Sequence, residues 1–349
     1  MDNPFDLSFG REPQQLISRL SQLHTIVGDF SQANPTNSAY MLTGVRGSGK
    51  TVMMTLVAQQ LKEKDDWIVI ELNPERDMLQ SLGAYLYENP ILNPLILKMK
   101  LDLSALGFGV SIEKANRIYD IETAIAQMLE LAKKNNKKIL ITVDEVTNTE
   151  HVRVFCAAFQ ILIRKKLPVH LLMTGLYENI YDLQNVKSLT FLYRAPKVKM
   201  EPLDLSQIAV RYSDIFGVPV EIGVNMAKMT AGYPFAFQVL GHLCWEANET
   251  KNLDVVLPEY DQYLSEYVYE KIWHETSGKD KAVLNAMAQS GETKVKSIRE
   301  YLSMKPEEFS VYRERLIRKG VIESRDYGNV SFALPRFAEY VKRMVLFME

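Results

Sequence analysis

Ala39-Tyr40-Met41-Leu42-Thr43-Gly44-Val45-Arg46-Gly47-Ser48-Gly49-Lys50-Thr51 decides how the rest of the chain is read. The apolar run from Ala39 to Thr43 reads as a short strand. It is followed without a gap by G-x-x-x-x-G-K-[ST], and from Lys50 the pattern turns helical as far as Glu63. Strand, glycine-rich loop and helix, in that order, are what a phosphate site needs. Glycines let the backbone wrap an anion with successive N–H groups pointing inward. The following helix presents the positive end of its dipole. Gly44, Arg46, Gly47, Ser48, Gly49, Lys50, Thr51 and Val52 are therefore the candidate nucleotide-contacting residues. Lys50 adds a point charge on the β and γ oxygens, and the Thr51 hydroxyl is a candidate Mg2+ ligand. The expected cofactors are ATP or ADP with Mg2+.

Two further strand ends fit the same chemistry. Ile139-Leu-Ile-Thr-Val143-Asp144-Glu145 is an apolar strand that stops on adjacent carboxylates. Ligands of a doubly wound sheet collect at the carboxyl ends of its strands, the edge where the phosphate loop sits. Asp144 would hold Mg2+ through water, and Glu145 would polarise the attacking water as a general base. Leu171-Leu-Met-Thr174-Gly175 ends a third strand, and Thr174 is placed to hydrogen-bond the γ-phosphate or that water.

Outward from these motifs, apolar runs alternate with amphipathic helices. Strands are expected over residues 39–43, 67–72, 138–143, 169–173 and 197–200. Helices are expected over 11–30, 50–63, 75–88, 121–134 and 152–166. Such alternation implies crossover connections and a mostly parallel sheet. Residues 89–118 break the rhythm and read as an insertion, with a hairpin expected. Past Pro202 the text is helical, over 206–216, 222–230, 233–248 and 258–274. Ser277-Gly278 reads as a linker. The final unit reads as helices over 282–289, 295–302 and 306–319, then a hairpin around Gly328-Asn329. Helix-turn-helix plus hairpin is a winged helix. The expected domains are 1–203 (base, with the insertion), 204–276 (helical lid) and 277–349 (winged helix).

With 349 residues, 47% of them apolar and 24% charged, the chain has an ordinary globular balance and room for two or three domains. The net charge of −2 excludes a global positive field. From Ser277 onward, however, 14 basic residues face 10 acidic ones, while the remainder carries 27 against 33. This asymmetry makes the C-terminal unit the candidate double-stranded DNA contact. On its third helix Phe309, Tyr312 and Leu316 share one face. Arg315 and Arg318 fall on the opposite, outward face, and Arg325 falls in the wing. Cys156 and Cys244 sit in apolar helical text and read as buried thiols. The absence of an apolar leader and of an apolar run of membrane length makes a cytoplasmic location the expectation, with no membrane partner.

Taken together, these motifs resemble the AAA+ and STAND branch of P-loop ATPases, nearest to the archaeal-type and origin-recognition (Orc-type) ATPases. Phe9-Gly10-Arg11-Glu12 resembles the box that opens those proteins, which implies that Gly10 and Arg11 line the adenine pocket. Gly44 to Thr51 resembles their Walker A loop, Val143-Asp144-Glu145 their Walker B, and Thr174 their sensor-1 position. Phe191-Leu-Tyr-Arg194 resembles the arginine box before the lid, which implies that Arg194 reaches a γ-phosphate. Gly232-Tyr-Pro234 resembles the lid motif whose proline packs near the adenine. The arginine usual beside that motif is missing, which fits a switch better than a motor. The resemblance implies an α/β P-loop base, a helical lid and a winged helix. The expected function is a slow ATP hydrolase whose nucleotide state repositions the winged helix, with DNA as partner. The alternative is a STAND-like signalling or scaffold module that holds nucleotide and uses the winged helix for protein partners or self-association.

Overall fold

The computed structural model describes residues 2–7, 14–17, 19–99, 101–109, 116–291, 293–324 and 326–346. The chain forms two compact units. One comprises Leu20–Thr43 with Lys50–Lys199, and the other Met1–Arg19, Gly44–Gly49 and Met200–Glu349.

The first unit is built on a five-stranded parallel sheet. Its elements are α1 (Leu20–Ser31), β1 (Ala39–Thr43), α2 (Lys50–Lys62), β2 (Trp67–Leu72), α3 (Met78–Glu88), α4 (Asn93–Lys98), β3 (Leu101–Asp102), β4 (Asn116–Arg117), α5 (Ile121–Lys134), β5 (Lys138–Val143), α6 (Glu150–Arg164), β6 (Val169–Gly175), α7 (Tyr177–Gln184), α8 (Thr190–Arg194) and β7 (Lys197–Lys199). The strand order is β2-β5-β6-β1-β7, all parallel. β1, β5 and β6 are apolar runs buried almost throughout, as a sheet covered on both faces requires. Helix starts follow side-chain caps: Asp77 accepts from the Gln80 amide, Asp120 from Thr123 and Thr149 from Val152.

Three expectations are corrected here. Among the described residues the first helix begins at Leu20, and residues 14–17 and 19 of the expected 11–30 helix are not helical. Among the described residues of 89–118 no hairpin forms. β3 and β4 pair in parallel over two residues, and Leu92, Ile96, Leu103, Phe108 and Ile118 are buried in the core of this unit. Much of the apolar content of the insertion is therefore spent on its own unit, while Ile91, Leu97 and Met99 stay exposed. α7 and α8 also form where no helix was expected, between β6 and β7.

At the amino-terminal edge of the sheet, Asp29 accepts from the amides of Thr36 and Asn37 and from the Tyr40 hydroxyl. His170 packs between Phe30 and Trp67, with ring centroids 5.0 and 5.1 Å away. Burial, and next the Lys138 ammonium, push the His170 imidazole down to about 4 from 6.5. The unfolded ring therefore takes a proton near pH 6.5, whereas the folded one resists until about pH 4. Between these values acid loads only the unfolded state, so stability falls as the pH drops. The loss at pH 4.5 is about 2–3 kcal/mol. Comparing urea midpoints at pH 7.5 and 4.5, the difference is expected to shrink by this amount in His170→Phe.

The second unit is helical. It contains α9 (Leu205–Phe216), α10 (Val220–Thr230), α11 (Pro234–Ala247), α12 (Leu257–Leu264), α13 (Glu270–His274), α14 (Gly278–Ser290), α15 (Val295–Tyr301), α16 (Pro306–Arg318), β8 (Ile322–Glu323), β9 (Ser331–Phe332) and α17 (Phe337–Leu346). The helix expected over 258–274 is interrupted by a π-helical stretch, Ser265–Tyr269, between α12 and α13. β8 and β9 pair antiparallel, and Lys294 bridges Asn329 beside them. α17 follows the hairpin and was not expected from sequence. N-terminal residues belong to this core: Phe5 packs on Tyr212, Phe216 and Phe237, and Asn3 donates to the His242 carbonyl. Cys156 in the first unit and Cys244 in the second are buried and free, and burial raises both thiols to about 12. No helix among the described residues is long and apolar enough to cross a membrane.

Candidate functional site

In the first unit the register of β5 and β6 assembles the polar cluster. Val143 is the partner of Met173, so the next residues, Asp144 and Thr174, come out side by side at the carboxyl edge. α2 follows β1, the neighbour of β6, and delivers Thr51 to the same place. The Thr51 hydroxyl donates to Asp144 Oδ2 at 2.8 Å. The Thr174 hydroxyl donates to Asp144 Oδ1. The Glu145 amide donates to Asp144 Oδ1 at 3.1 Å and to Thr174 Oγ1 at 3.0 Å. Glu145 sits at φ +50°, a left-handed conformation that a non-glycine residue adopts at a cost of about 1 kcal/mol. The Val146 amide donates to the Thr174 carbonyl at 2.8 Å and closes the turn behind it. Glu145 itself is exposed, while Thr174 and Lys50 are buried and Asp144, Thr51 and Val52 are half-buried. The donors at this edge are a carboxylate and a hydroxyl, hard oxygens of the kind Mg2+ selects while it keeps several waters. The residues present fit that ion.

In the second unit the loop Gly44–Gly49 lies among the helices. Gly47 and Gly49 take φ of +68° and +86°. Gly47 also has no room: a Cβ there would meet the Tyr233 hydroxyl at 2.3 Å. Tyr233, buried at the start of α11, donates its hydroxyl to the Arg46 carbonyl. The Arg46 guanidinium pairs with Glu275 at 3.1 Å. The Glu275 carbonyl accepts from Lys319 at 2.9 Å, and the Val45 side chain packs against Gly320. Ser48 is buried against Gly44. Pro234 occupies the first turn of α11 and is half-buried. Of these loop contacts, Tyr233 lay inside a motif already quoted. Glu275 carried no sequence signal, because it is 229 residues from its partner.

Other candidates stand apart. Arg194 ends α8 exposed, and among the described residues it makes no hydrogen bond or ion pair with the Asp144 cluster. Gly10, Arg11 and Arg325 lie outside the described residues. Arg318 is half-exposed and pairs with Glu314 one turn away at 3.5 Å. Arg315 corrects the expected outward placement. It reaches the start of α14, pairing with the buried carboxylate of Asp280 at 2.7 Å, donating to Ser277 Oγ at 2.9 Å and lying over the Tyr312 ring. A buried carboxylate needs a partner, and that need outweighs projection into solvent.

A family model described as a domain of unknown function, DUF8462, matches residues 266–341. No curated protein matches the chain. In three dimensions the chain is similar to a Walker-type ATPase of Pyrococcus abyssi, with a TM-score of 0.69 at 15% identity, over 97% of this chain and 99% of that one. It is also similar to the Orc2 protein of Aeropyrum pernix, solved as ADPNP–ADP complexes, with a TM-score of 0.60 at 12% identity, over 98% and 97% of the two chains. The chain shares the fold of these two proteins, and its parallel sheet with flanking helices is the P-loop architecture that the motifs led one to expect.

Proposed function

We propose that the chain is an Mg-ATP-dependent ATPase that works as a switch on its own C-terminal helices. The observation that carries this reading is the Thr51–Asp144–Thr174 cluster, with the full phosphate-loop motif running into Thr51 in the sequence. Lys50 and the loop amides bind the phosphates, Thr51 and Asp144 provide the metal ligands, and Thr174 orients Asp144 and the Glu145 turn. Thr51 and Asp144 would hold Mg2+, which would supply neutralisation of the charge developing on the phosphoryl group. Glu145 takes the proton of the attacking water, and its exposed carboxylate leaves water access to that face.

The switch reading is supported by the company the loop keeps. Arg46 is tied to Glu275, and Val45 packs against Gly320, so the loop touches residues that flank α14 to α16. A loop that rearranges around a phosphate must pull on those contacts. We read α14, α15, α16, β8 and β9 as a winged helix, and the chain as base (1–203), lid (204–276) and winged helix (277–349). The net charge of +4 after Ser277 supports DNA as its partner, through salt-sensitive phosphate contacts in which Arg318 and Arg325 take part. With Arg315 committed to Asp280, its contribution to DNA binding is indirect, through the placement of α16. Arg194 is read as a γ-phosphate contact made on closure, and Gly10, Arg11 and Pro234 as adenine contacts. A second reading, a STAND-like module with protein partners, is supported by apolar side chains left in solvent on the same helices and hairpin, namely Tyr301, Val311 and the fully exposed Tyr327.

Steady-state ATP turnover, with and without duplex DNA at low salt, tests the two. Turnover that rises with DNA, and loses the rise as salt increases, is the expected result. Turnover indifferent to DNA at every salt concentration would transfer the proposal to the protein-contact reading.

A further inference from the structure

The geometry points to Arg19 as a second cationic contact for the nucleotide's phosphates, at the Gly49 end of the loop. This inference rests on the nucleotide-binding reading above.

Arg19 lies just before α1, outside every motif, in the same compact unit as Gly44–Gly49. Its guanidinium is turned onto the loop: Nη1 is 3.1 Å from where a Cβ on Gly49 would stand. The other terminal nitrogen, Nη2, donates to the Glu201 carbonyl at 2.6 Å. That bond holds the planar head group in place from behind. An arginine carries five N–H donors. Among the described residues, the Glu201 carbonyl is the acceptor this one has. The side chain is half-buried, and burial pulls its charge down to about 10 from 12.5, against the opposing pull of Glu201. A cation taken out of water without full compensation gains from an anion brought beside it.

The loop supplies the place for that anion. Gly49 is at φ +86° and is followed in the chain by α2, and the unpaired amides of a helix start are themselves donors to an anion. The phosphates that the amides of such a loop cradle are the α- and β-phosphates, which ADP and ATP share. Gly49 has no side chain to stand between Arg19 and them. The arginine fork suits phosphate oxygens better than a lysine point charge does. Arg19 is thus a binding contact for the diphosphate part of a nucleoside di- or triphosphate. The arrangement predicts equal gains for ADP and ATP, and none for the unphosphorylated nucleoside.

The experiment measures ADP, ATP and adenosine affinities by titration calorimetry on the full chain. The parent is compared with Arg19→Ala, Arg19→Gln, Arg19→Lys and Lys50→Ala. Arg19→Gln keeps most of the length of the side chain and a donor for the Glu201 carbonyl, so it remains informative if the alanine variant folds poorly. Nucleotide-free thermal melts report folding. Arg19→Ala and Arg19→Gln are expected to weaken ADP and ATP by the same factor, about 10–100-fold, with adenosine unchanged. Arg19→Lys is expected to fall between them and the parent. Unchanged ADP and ATP affinity in the Arg19 variants, with Lys50→Ala weakened, would overturn the role of Arg19 and leave the nucleotide reading standing. Equal weakening of adenosine would reduce Arg19 to a packing residue. A parent that binds neither nucleotide, or binds as Lys50→Ala does, would overturn the nucleotide reading and Arg19 with it.

Discussion

Glu145→Gln is expected to lower the ATP turnover number by about 10²–10⁴-fold, the usual worth of a positioned general base, and to leave nucleotide affinity near that of the parent. The two effects separate because the residue has two parts with different duties. Its amide, at φ +50°, is what bonds Asp144 and Thr174, and Gln keeps that amide. Its side chain is exposed and isosteric with glutamine, so the turn loses only the proton acceptor. Steady-state turnover and an equilibrium titration with ATP, done on the same preparations, check the pair of outcomes. A loss of affinity as large as the loss of turnover would instead make Glu145 a scaffold for Asp144.

The second large effect concerns stability. Asp261 is buried in α12 and accepts from Arg336 Nε and Nη2 at 2.8 and 2.7 Å and from Arg343 Nη1 at 3.2 Å. The hydrogen bond to Asp261, ahead of other charges, raises the Arg336 guanidinium above its ordinary value. These bonds fasten α17 and the turn before it to a helix about 75 residues earlier in the chain. Asp261→Ala removes the shared acceptor and leaves Arg336 with Glu339, and Arg343 with Ser265, as the remaining partners of their guanidinium groups. Breaking one side of a buried ion pair costs about 3–5 kcal/mol, and the partial exposure of both arginines places this case near 3. The urea midpoint of Asp261→Ala is expected to fall accordingly, with Asp261→Asn between it and the parent. A midpoint within error of the parent would show that the arginines are served equally well by water.

Much of the base was legible because its signals are local. A strand that is apolar on both faces, as at Ile139–Val143 with only Thr142 polar, announces burial on both faces without any knowledge of its neighbours. Eight consecutive residues specify the phosphate loop, since glycine spacing acts on the backbone directly. The carboxylates after Val143 and the threonine after Met173 could be nominated because strand ends of a parallel sheet share one edge. What was missed lacked such a signal. α17 has an amphipathic pattern, but the hairpin before it reads as a natural end of the module. The insertion's parallel β3–β4 pair spans two residues, too few for any period to show.

The sequence by itself therefore determined the sheet, the loop and the identity of the cluster Thr51, Asp144, Glu145 and Thr174. Only the tertiary structure decided which charges are spent and where. Arg315 looked outward on its helix, yet it answers to a buried Asp280 from the start of α14. Arg46 looked like a loop residue for nucleotide, yet it is held by a carboxylate 229 residues away. Arg19 carried no motif, yet it rests against Gly49, anchored to a carbonyl 182 residues distant. Helical and strand periods reach a few residues along the chain, whereas the partner of a buried charge is chosen by whatever folding brings within about 4 Å.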